Sequence, residues 1–380
     1  MKVLFIHSSG NNIAGSEIIL LKMLKHLHPS IEKSVLLPEK GIFYDRLKQE
    51  KQQVYLSSFK GFYRKKPVSY LKELWTFAKV VREIQPDLIH TSTAGPVQYA
   101  YPLSKYLGIP LVCHIQCPYS KDDLRRYFPH KATKIIAISQ TLKDIFDPKY
   151  KDKIKVIYSG IPTPNLNRQV MRARILNQFG LGSEALLLGI LGQIIPRKGI
   201  RLFLKAAKQI VSELPQTRFL IVGDEKNEHG LMMKQLSKEL GIEKYVIWAG
   251  YQTNSQEWMA GMDILAVPSK SEGFGLVAAE AGAVGTPVIA SDVDGLPEII
   301  EHGLNGYLIP VGDESAFVFY AKKLLLDEKK RAQMASQGKQ KVQKTFSFEK
   351  SMEGIERIYS ELLPSVAFKG VQDKAACTPS

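Results

Sequence analysis

The sequence predicts an α/β chain of two domains, each a doubly wound parallel sheet. Short apolar runs of strand length alternate with stretches whose apolar residues recur at helical spacing, the order of βαβ units rather than of hairpins. This alternation runs from residue 2 to 161, breaks over 162–185 and begins again at Leu186. The chain's 380 residues also exceed one ordinary core, at roughly 150 residues to a domain.

The first series opens with "KVLFIH", a buried-strand run, then the polar, Gly-bearing loop "SSGNNIAG", then "SEIILLKMLKHL", apolar at helix period. It continues with "SVLLP", the helical "YLKELWTFAKVVREI", "PDLIHTS", "YAYPLSKYLGI", "PLVCHIQ", "KIIAISQTLKDIF" and "KVIYSGI". The break, "PTPNLNRQVMRARILNQFGLGSE", holds two prolines and a short basic helix, and sets the domains at 1–165 and 166–346. The second series reads "LLGILG", helix "IRLFLKAAKQIVSEL", "TRFLIVGD", helix "HGLMMKQLSKELGI", "VIWAG", helix "NSQEWMAGM", "DILAVPS" and an apolar helix from about Phe274 or Gly275. After these come "PVIASD", "LPEIIEHG", "NGYLIP" and one helical stretch, "ESAFVFYAKKLLLDEKKRAQMASQGKQKVQ". An amphipathic helix at 347–363 arrives once both sheets are complete, and 364–380, polar and small, read as a disordered tail.

Composition is globular, with 44% apolar and 23% charged residues, and no apolar stretch is long enough for a bilayer span. The opening "MKVLFIH" is too short for the hydrophobic region of a signal peptide, and three cysteines form no disulfide framework. A cytoplasmic chain is expected. Cys113, His114 and Cys117 lie close together, but no second Cys/His pair follows at zinc spacing, so buried thiols flanking a histidine are expected rather than a metal site. The net charge of +15 is uneven: residues 1–165 carry 26 Lys+Arg against 13 Asp+Glu, and the rest 26 against 24. A basic first half suits an anionic partner. No nucleic-acid recognition motif accompanies it, so nucleic acid is not expected.

The chemistry concentrates in "SEGFGLVAAEAGAVGTP", residues 271–287, which sets Glu272 and Glu280 in an otherwise small and apolar run. A buried carboxylate must be paired, protonated or aimed at a polar ligand. Glu272 falls in the loop after a strand and Glu280 on the following helix, where open parallel sheets bind ligands and helix amides meet phosphate. Eight positions, roughly 12 Å of helix, match the reach from the ribose of a nucleotide sugar past its diphosphate to the hexose. Gly273 and Gly275 allow close approach of the backbone, with Phe274 and Leu276 beside them.

This run, with "GTPVIASDVDGLPEIIEHGLNGYLIPVGD" after it, resembles the retaining glycosyltransferases of family 4. "AGSEIILL", "PLVCHIQ", "AISQTLK", "VIYSGI", "GQIIPRKGI" and "FLIVGD" extend the likeness over most of the chain. The resemblance implies a GT-B fold, two Rossmann-like domains facing across a cleft, with the 347–363 helix crossing back to the first. It implies that Glu272 holds donor-sugar hydroxyls, Glu280 the ribose diol and Lys198 the diphosphate. Gly15 and Ser16 then belong to the acceptor and phosphate loop, and His114 lies beside the donor sugar; His7 is a weaker candidate. Gly295 falls in a donor-domain loop or is simply a turn residue. The family commonly has Arg where this chain has Gln193, and Arg197 is the residue that can restore the charge. The positive charge that develops on the sugar and the negative charge on the leaving diphosphate call for fixed cations and amide dipoles. No Asp-x-Asp pair of the metal-binding kind is present, so a metal-independent transferase is expected, with a nucleotide-sugar donor and a carbohydrate or lipid-linked acceptor. A nucleotide-sugar epimerase, or a donor-binding protein without turnover, stands as the alternative.

The densest basic cluster, "FKGFYRKKPVSYLKELWTF", interleaves Lys60, Arg64, Lys65 and Lys66 with Phe59, Phe62, Tyr63, Tyr70 and Trp75. Basic side chains near an anionic leaflet contribute about 1 kcal/mol each and aromatics favour the headgroup region. An anionic membrane surface is therefore a further expected partner, the alternative being a solvated loop.

Overall fold

The computed structural model describes residues 1–11, 13, 15–59 and 67–364, of residue 67 the backbone only. The chain divides into two compact units, Met1–Ser159 together with the chain from Glu349, and Gly160–Phe348.

In the first unit the described residues form a seven-stranded sheet: β1 (Lys2–Ile6), β2 (Glu32–Leu37), β3 (Gln53–Leu56), β4 (Leu88–Thr91), β5 (Leu111–Ile115), β6 (Lys134–Ala137) and β7 (Ile154–Val156). The order is β3-β2-β1-β4-β5-β6-β7 and the pairs are parallel. The central strands are buried on both faces, which is why Val3–Ile6 of β1 reads as a continuous apolar run, while β4 and β5, equally buried, carry His90, Thr91 and His114. Strand order reverses between β1 and β4, and in such sheets ligands bind outside the carboxyl ends at that point.

Three elements escape the periodicity for a physical reason. Edge strand β3 and helix Ile42–Gln49 carry few buried side chains, and helix Lys121–Tyr127 buries none. That last helix is held instead by its start: Ser120 Oγ accepts the Asp123 N–H at 3.0 Å while the Asp123 carboxylate accepts the Ser120 N–H.

In the second unit the sheet has six strands among the described residues: β8 (Leu186–Leu191), β9 (Thr217–Val222), β10 (Val246–Gly250), β11 (Ile264–Val267), β12 (Val288–Ser291) and β13 (Gly306–Ile309). Its order is β10-β9-β8-β11-β12-β13, again parallel, with the reversal between β8 and β11. Helix Ile200–Glu213 turns Ile200, Phe203, Leu204, Ala207 and Ile210 onto one face, and Phe203 meets Phe219 and Phe317 edge-on at 5.6 and 6.3 Å. The stretch expected as one helix is two, Glu314–Leu326 and Glu328–Thr345. Asp327 breaks it, its carboxylate accepting the Lys330 N–H at 2.8 Å as the cap of the second helix.

The division falls at Ser159, ahead of the expected 165, because Ile161 donates its N–H to the Phe346 carbonyl at 2.9 Å and bridges to Ser347. Residues 160–165 thereby belong with the second unit. Helix Phe348–Leu362 packs on the first unit through Met352, Ile355, Ile358 and Tyr359, and Glu356 accepts the His28 N–H at 2.7 Å. The tail from residue 365, expected as disordered, and Lys60, Phe62, Tyr63, Arg64, Lys65 and Lys66 of the basic cluster lie outside the described residues. Among the described residues no helix is long and apolar enough to cross a membrane.

Candidate functional site

In the second unit the pairing of Ala266 with Ile190 brings the carboxyl ends of β11 and β8 level. The loop after β8 turns through Pro196–Lys198, and the loop after β11 leads into helix Leu276–Val284. The Lys270 N–H donates to the Arg197 carbonyl at 2.8 Å and ties the two loops together. Glu272, only 8% exposed, is thus paired. The Lys198 ammonium donates to its Oε1, Ser269 Oγ donates to the same oxygen at 2.9 Å, and the Arg197 guanidinium stands 3.7 Å from its Oε2. Arg197 is itself fixed by the Ser271 carbonyl at 2.8 Å.

A third loop, after β12, completes the group. The Glu272 N–H donates to the Asp294 carboxylate at 2.7 Å. Asp294 has φ +49, in the left-handed region that Asp tolerates better than most residues. Gly295 serves close approach rather than unusual φ: a Cβ there would lie 2.8 Å from the Gly273 carbonyl oxygen. Gly275, at φ +95, is where the loop turns into the helix, and a Cβ on it would also strike Leu296.

The other candidates of this unit separate. Leu276 and Glu280 are half-buried on the helix, and Gln193 is exposed in the loop after β8. The Phe274 side chain is turned inward against Phe346, ring centroids 5.4 Å apart, so it can meet a ligand only through its backbone. Ser269 and Asp294 were not legible as site residues. A polar residue just after a strand, and an Asp before Gly, are the only signals they carry.

In the first unit His7 ends β1. Its Nδ1 lies 3.1 Å from the Ser9 carbonyl and its Nε2 3.3 Å from Ser16 Oγ and 3.5 Å from Glu17 Oε1. Ser16 in turn donates to Glu17 Oε2 at 3.0 Å, so the start of helix Gly15–His26, with Gly15 exposed, is fastened to the end of β1. Burial holds His7 below its usual pKa against the opposing charge of Glu17.

His114 lies on β5, 2% exposed, with Nδ1 3.4 Å from His90 Nε2; His90 Nδ1 is 2.6 Å from Tyr359 Oη. His114 Nε2 is buried without a hydrogen-bond partner among the described residues. So are Ser92 Oγ and Thr93 Oγ1 after β4, both amide ends of Gln116 after β5, and Ser159 Oγ after β7. Each such group costs about 1–3 kcal/mol when left unmade, and these lie at or just after the carboxyl ends of strands, the side on which parallel sheets bind ligands. Cys113, one residue before His114, is buried and has its thiol pushed up to about 12 by burial, whereas Cys117 is exposed and not the buried thiol expected. Among the described residues no group of three or more His, Cys, Asp and Glu side chains could hold a metal ion.

Burial also holds His114 down to about 3, so the folded chain keeps it neutral while an unfolded histidine takes a proton below about pH 6.5. Its stability contribution is complete above that value and is lost as pH falls, by about 1.4 kcal/mol per pH unit between the two pKa values. Denaturant melts at about pH 7.5 and about pH 5 should show the loss, and His114→Gln should reduce it; equal losses in both proteins would contradict this.

A family model described as glycosyl transferases group 1 matches residues 171–341, and one described as glycosyltransferase family 4 matches residues 13–164. An uncharacterised glycosyltransferase of Methanocaldococcus jannaschii is 31% identical over 327 residues, 81% of this chain and 83% of its own. The Escherichia coli UDP-Gal:α-D-GlcNAc-diphosphoundecaprenol α-1,3-galactosyltransferase is 24% identical over 318 residues, 77% of this chain and 80% of its own. Among solved structures, Anabaena HepE in complex with UDP has a TM-score of 0.83 at 24% identity, covering 95% of this chain and 100% of its own. HepE has also been crystallised with UDP-glucose.

Proposed function

The chain belongs to glycosyltransferase family 4 and has the GT-B fold of two Rossmann-like domains, and on that premise we propose that it transfers a sugar from a nucleoside diphosphate sugar to a hydroxyl acceptor with retention at the anomeric carbon. The observation that carries this reading is the Lys198–Glu272 pair spanning the β8/β11 reversal, beside the amino end of helix Leu276–Val284. The leaving diphosphate gathers negative charge as the glycosyl bond breaks, and Lys198, Arg197 and the helix amides are the groups that stabilise it, in place of a metal ion. Glu272 accepts from donor-sugar hydroxyls and Glu280 from the ribose diol. The C1–O bond to phosphate breaks, the C1–O bond to the acceptor forms on the same face, and the acceptor proton passes to the departing phosphate oxygen. On the first unit, the orphaned polar groups beside His114 and the Gly15/Ser16 loop bind acceptor hydroxyls.

HepE's complexes with UDP and UDP-glucose support a nucleoside diphosphate donor. The E. coli relative's diphosphoundecaprenol acceptor supports a lipid-linked acceptor and a role in cell-envelope synthesis. An epimerase is not favoured, because the matching family models and the relatives named above are glycosyltransferases. The test is the product made from an α-linked donor, read by proton NMR: an α-linked product is expected, and a β-linked one contradicts retention.

A membrane-facing role has its own support. Helix Pro67–Ile84 buries Phe77, Val81 and Ile84 but leaves Val68, Leu71 and Trp75 exposed at 79%, 62% and 57%, spaced on one face with Lys72, Lys79 and Arg82. Lys79 Nζ sits 3.4 Å from the Trp75 ring centre. An apolar stripe edged by cations suits the headgroup region of an anionic leaflet. Sedimentation with vesicles should rise with anionic lipid content, fall with salt, and drop in Leu71→Ser with Trp75→Ser; binding indifferent to all three would remove the membrane reading.

A further inference from the structure

We infer that Tyr359 fixes the tautomer of His114 by way of His90, so that the first unit presents His114 Nε2 as an N–H donor and not as a proton acceptor. Tyr359 comes from the C-terminal helix, 269 positions from His90 in sequence. All three side chains are buried. Burial lowers both imidazoles and raises the phenol, so all three are neutral at physiological pH.

Neutrality makes the direction of the hydrogen bonds a chain of single choices. The phenol proton, enclosed, has His90 Nδ1 as its partner at 2.6 Å, so Tyr359 donates. His90 then carries its own proton on Nε2, which faces His114 Nδ1 at 3.4 Å. Two N–H groups or two lone pairs facing each other there would repel, so His114 Nδ1 accepts and its proton resides on Nε2. The reverse chain would leave two buried groups unmet, the phenol proton and the His114 Nε2 lone pair, against one in this chain, the Nε2 N–H that would face the proposed ligand. His114 Nε2 is the orphaned atom at the end of the line.

Tyr359 and His90 are thus positioning residues acting through His114. The helix that returns to the first unit does more than cover its sheet: it sets the polarity of a ligand-facing group. That second clause rests on the proposed role of His114 in binding a ligand hydroxyl. A donor at Nε2 can bind a sugar or acceptor oxygen but cannot take the acceptor's proton, which leaves that proton to the departing phosphate.

The experiment is long-range proton–nitrogen correlation NMR of the full chain labelled with 15N-histidine, His90→Gln and His114→Asn providing the assignments. Wild type should show the pyrrole-type nitrogen at Nε2 of both rings. Tyr359→Phe should give mixed tautomers at His90 and His114 and lower kcat/KM roughly five- to ten-fold, the size of one neutral hydrogen bond, with nucleoside diphosphate affinity unchanged. His114 protonated on Nδ1 in wild type, or tautomers unmoved in Tyr359→Phe, would overturn the inference. Spectra as expected with unaltered turnover would uphold the relay and remove His114 from the ligand site. Should Tyr359→Phe fail to fold, the wild-type spectrum alone decides.

Discussion

Lys198→Ala is expected to lower kcat by roughly 10² or more, the usual loss when one fixed electrostatic stabiliser is removed. The side chain is held by Glu272 in a loop tied to its neighbour through Lys270 and Arg197, so the cation is in place before the donor arrives. Such preorganisation matters more for the departing diphosphate than for the intact donor, because charge grows there as the bond breaks. The loss should therefore fall mainly on kcat. Near-normal turnover in Lys198→Ala would end the assignment.

Removing the other partner tests fold and chemistry separately. Glu272→Ala leaves Lys198 and Ser269 without their shared acceptor in a largely buried site and should destabilise the second unit by about 3 kcal/mol, the lower end for a broken buried pair. Activity should fall at least as far as in Lys198→Ala. The triple variant Lys198→Met, Glu272→Leu and Ser269→Ala should recover most of the stability, since apolar groups of similar volume replace a buried pair at little cost and no hydroxyl is left without its acceptor, and should remain inactive. Denaturant melts and turnover assays on the same preparations check both. An active triple variant would mean that the pair is structural only.

The sequence carried the sheets well because their central strands are buried on both faces and leave unbroken apolar runs, as in β1 and β11. It pointed to Glu272, Glu280 and Lys198 through motifs that resemble the family's, and the structure brings Lys198 and Glu272 together. What it could not carry depends on strand order. Lys198 and Glu272 are 74 positions apart and meet only because β8 and β11 are neighbours. The Asp294 contact needs a third loop and a left-handed residue, and neither leaves a periodic trace. Tyr359 on His90 is a contact across 269 positions, invisible to any local pattern. Edge strand β3 and the break at Asp327 were missed for the opposite reason: both are local, but a half-exposed strand and a polar cap lack the apolar contrast that a periodicity reading needs.

The central claim is that the β8/β11 reversal of the second unit binds the diphosphate of a nucleotide sugar through Lys198. It is tested most directly by calorimetric titration of wild type and Lys198→Ala with the diphosphate and monophosphate of each nucleoside in turn. One charge-assisted contact to the terminal phosphate, about 1.5–3 kcal/mol, predicts that wild type prefers the diphosphate of its nucleoside by at least about ten-fold and that Lys198→Ala loses most of that preference. Equal affinity for mono- and diphosphate in wild type, or a preference untouched by Lys198→Ala, would contradict it.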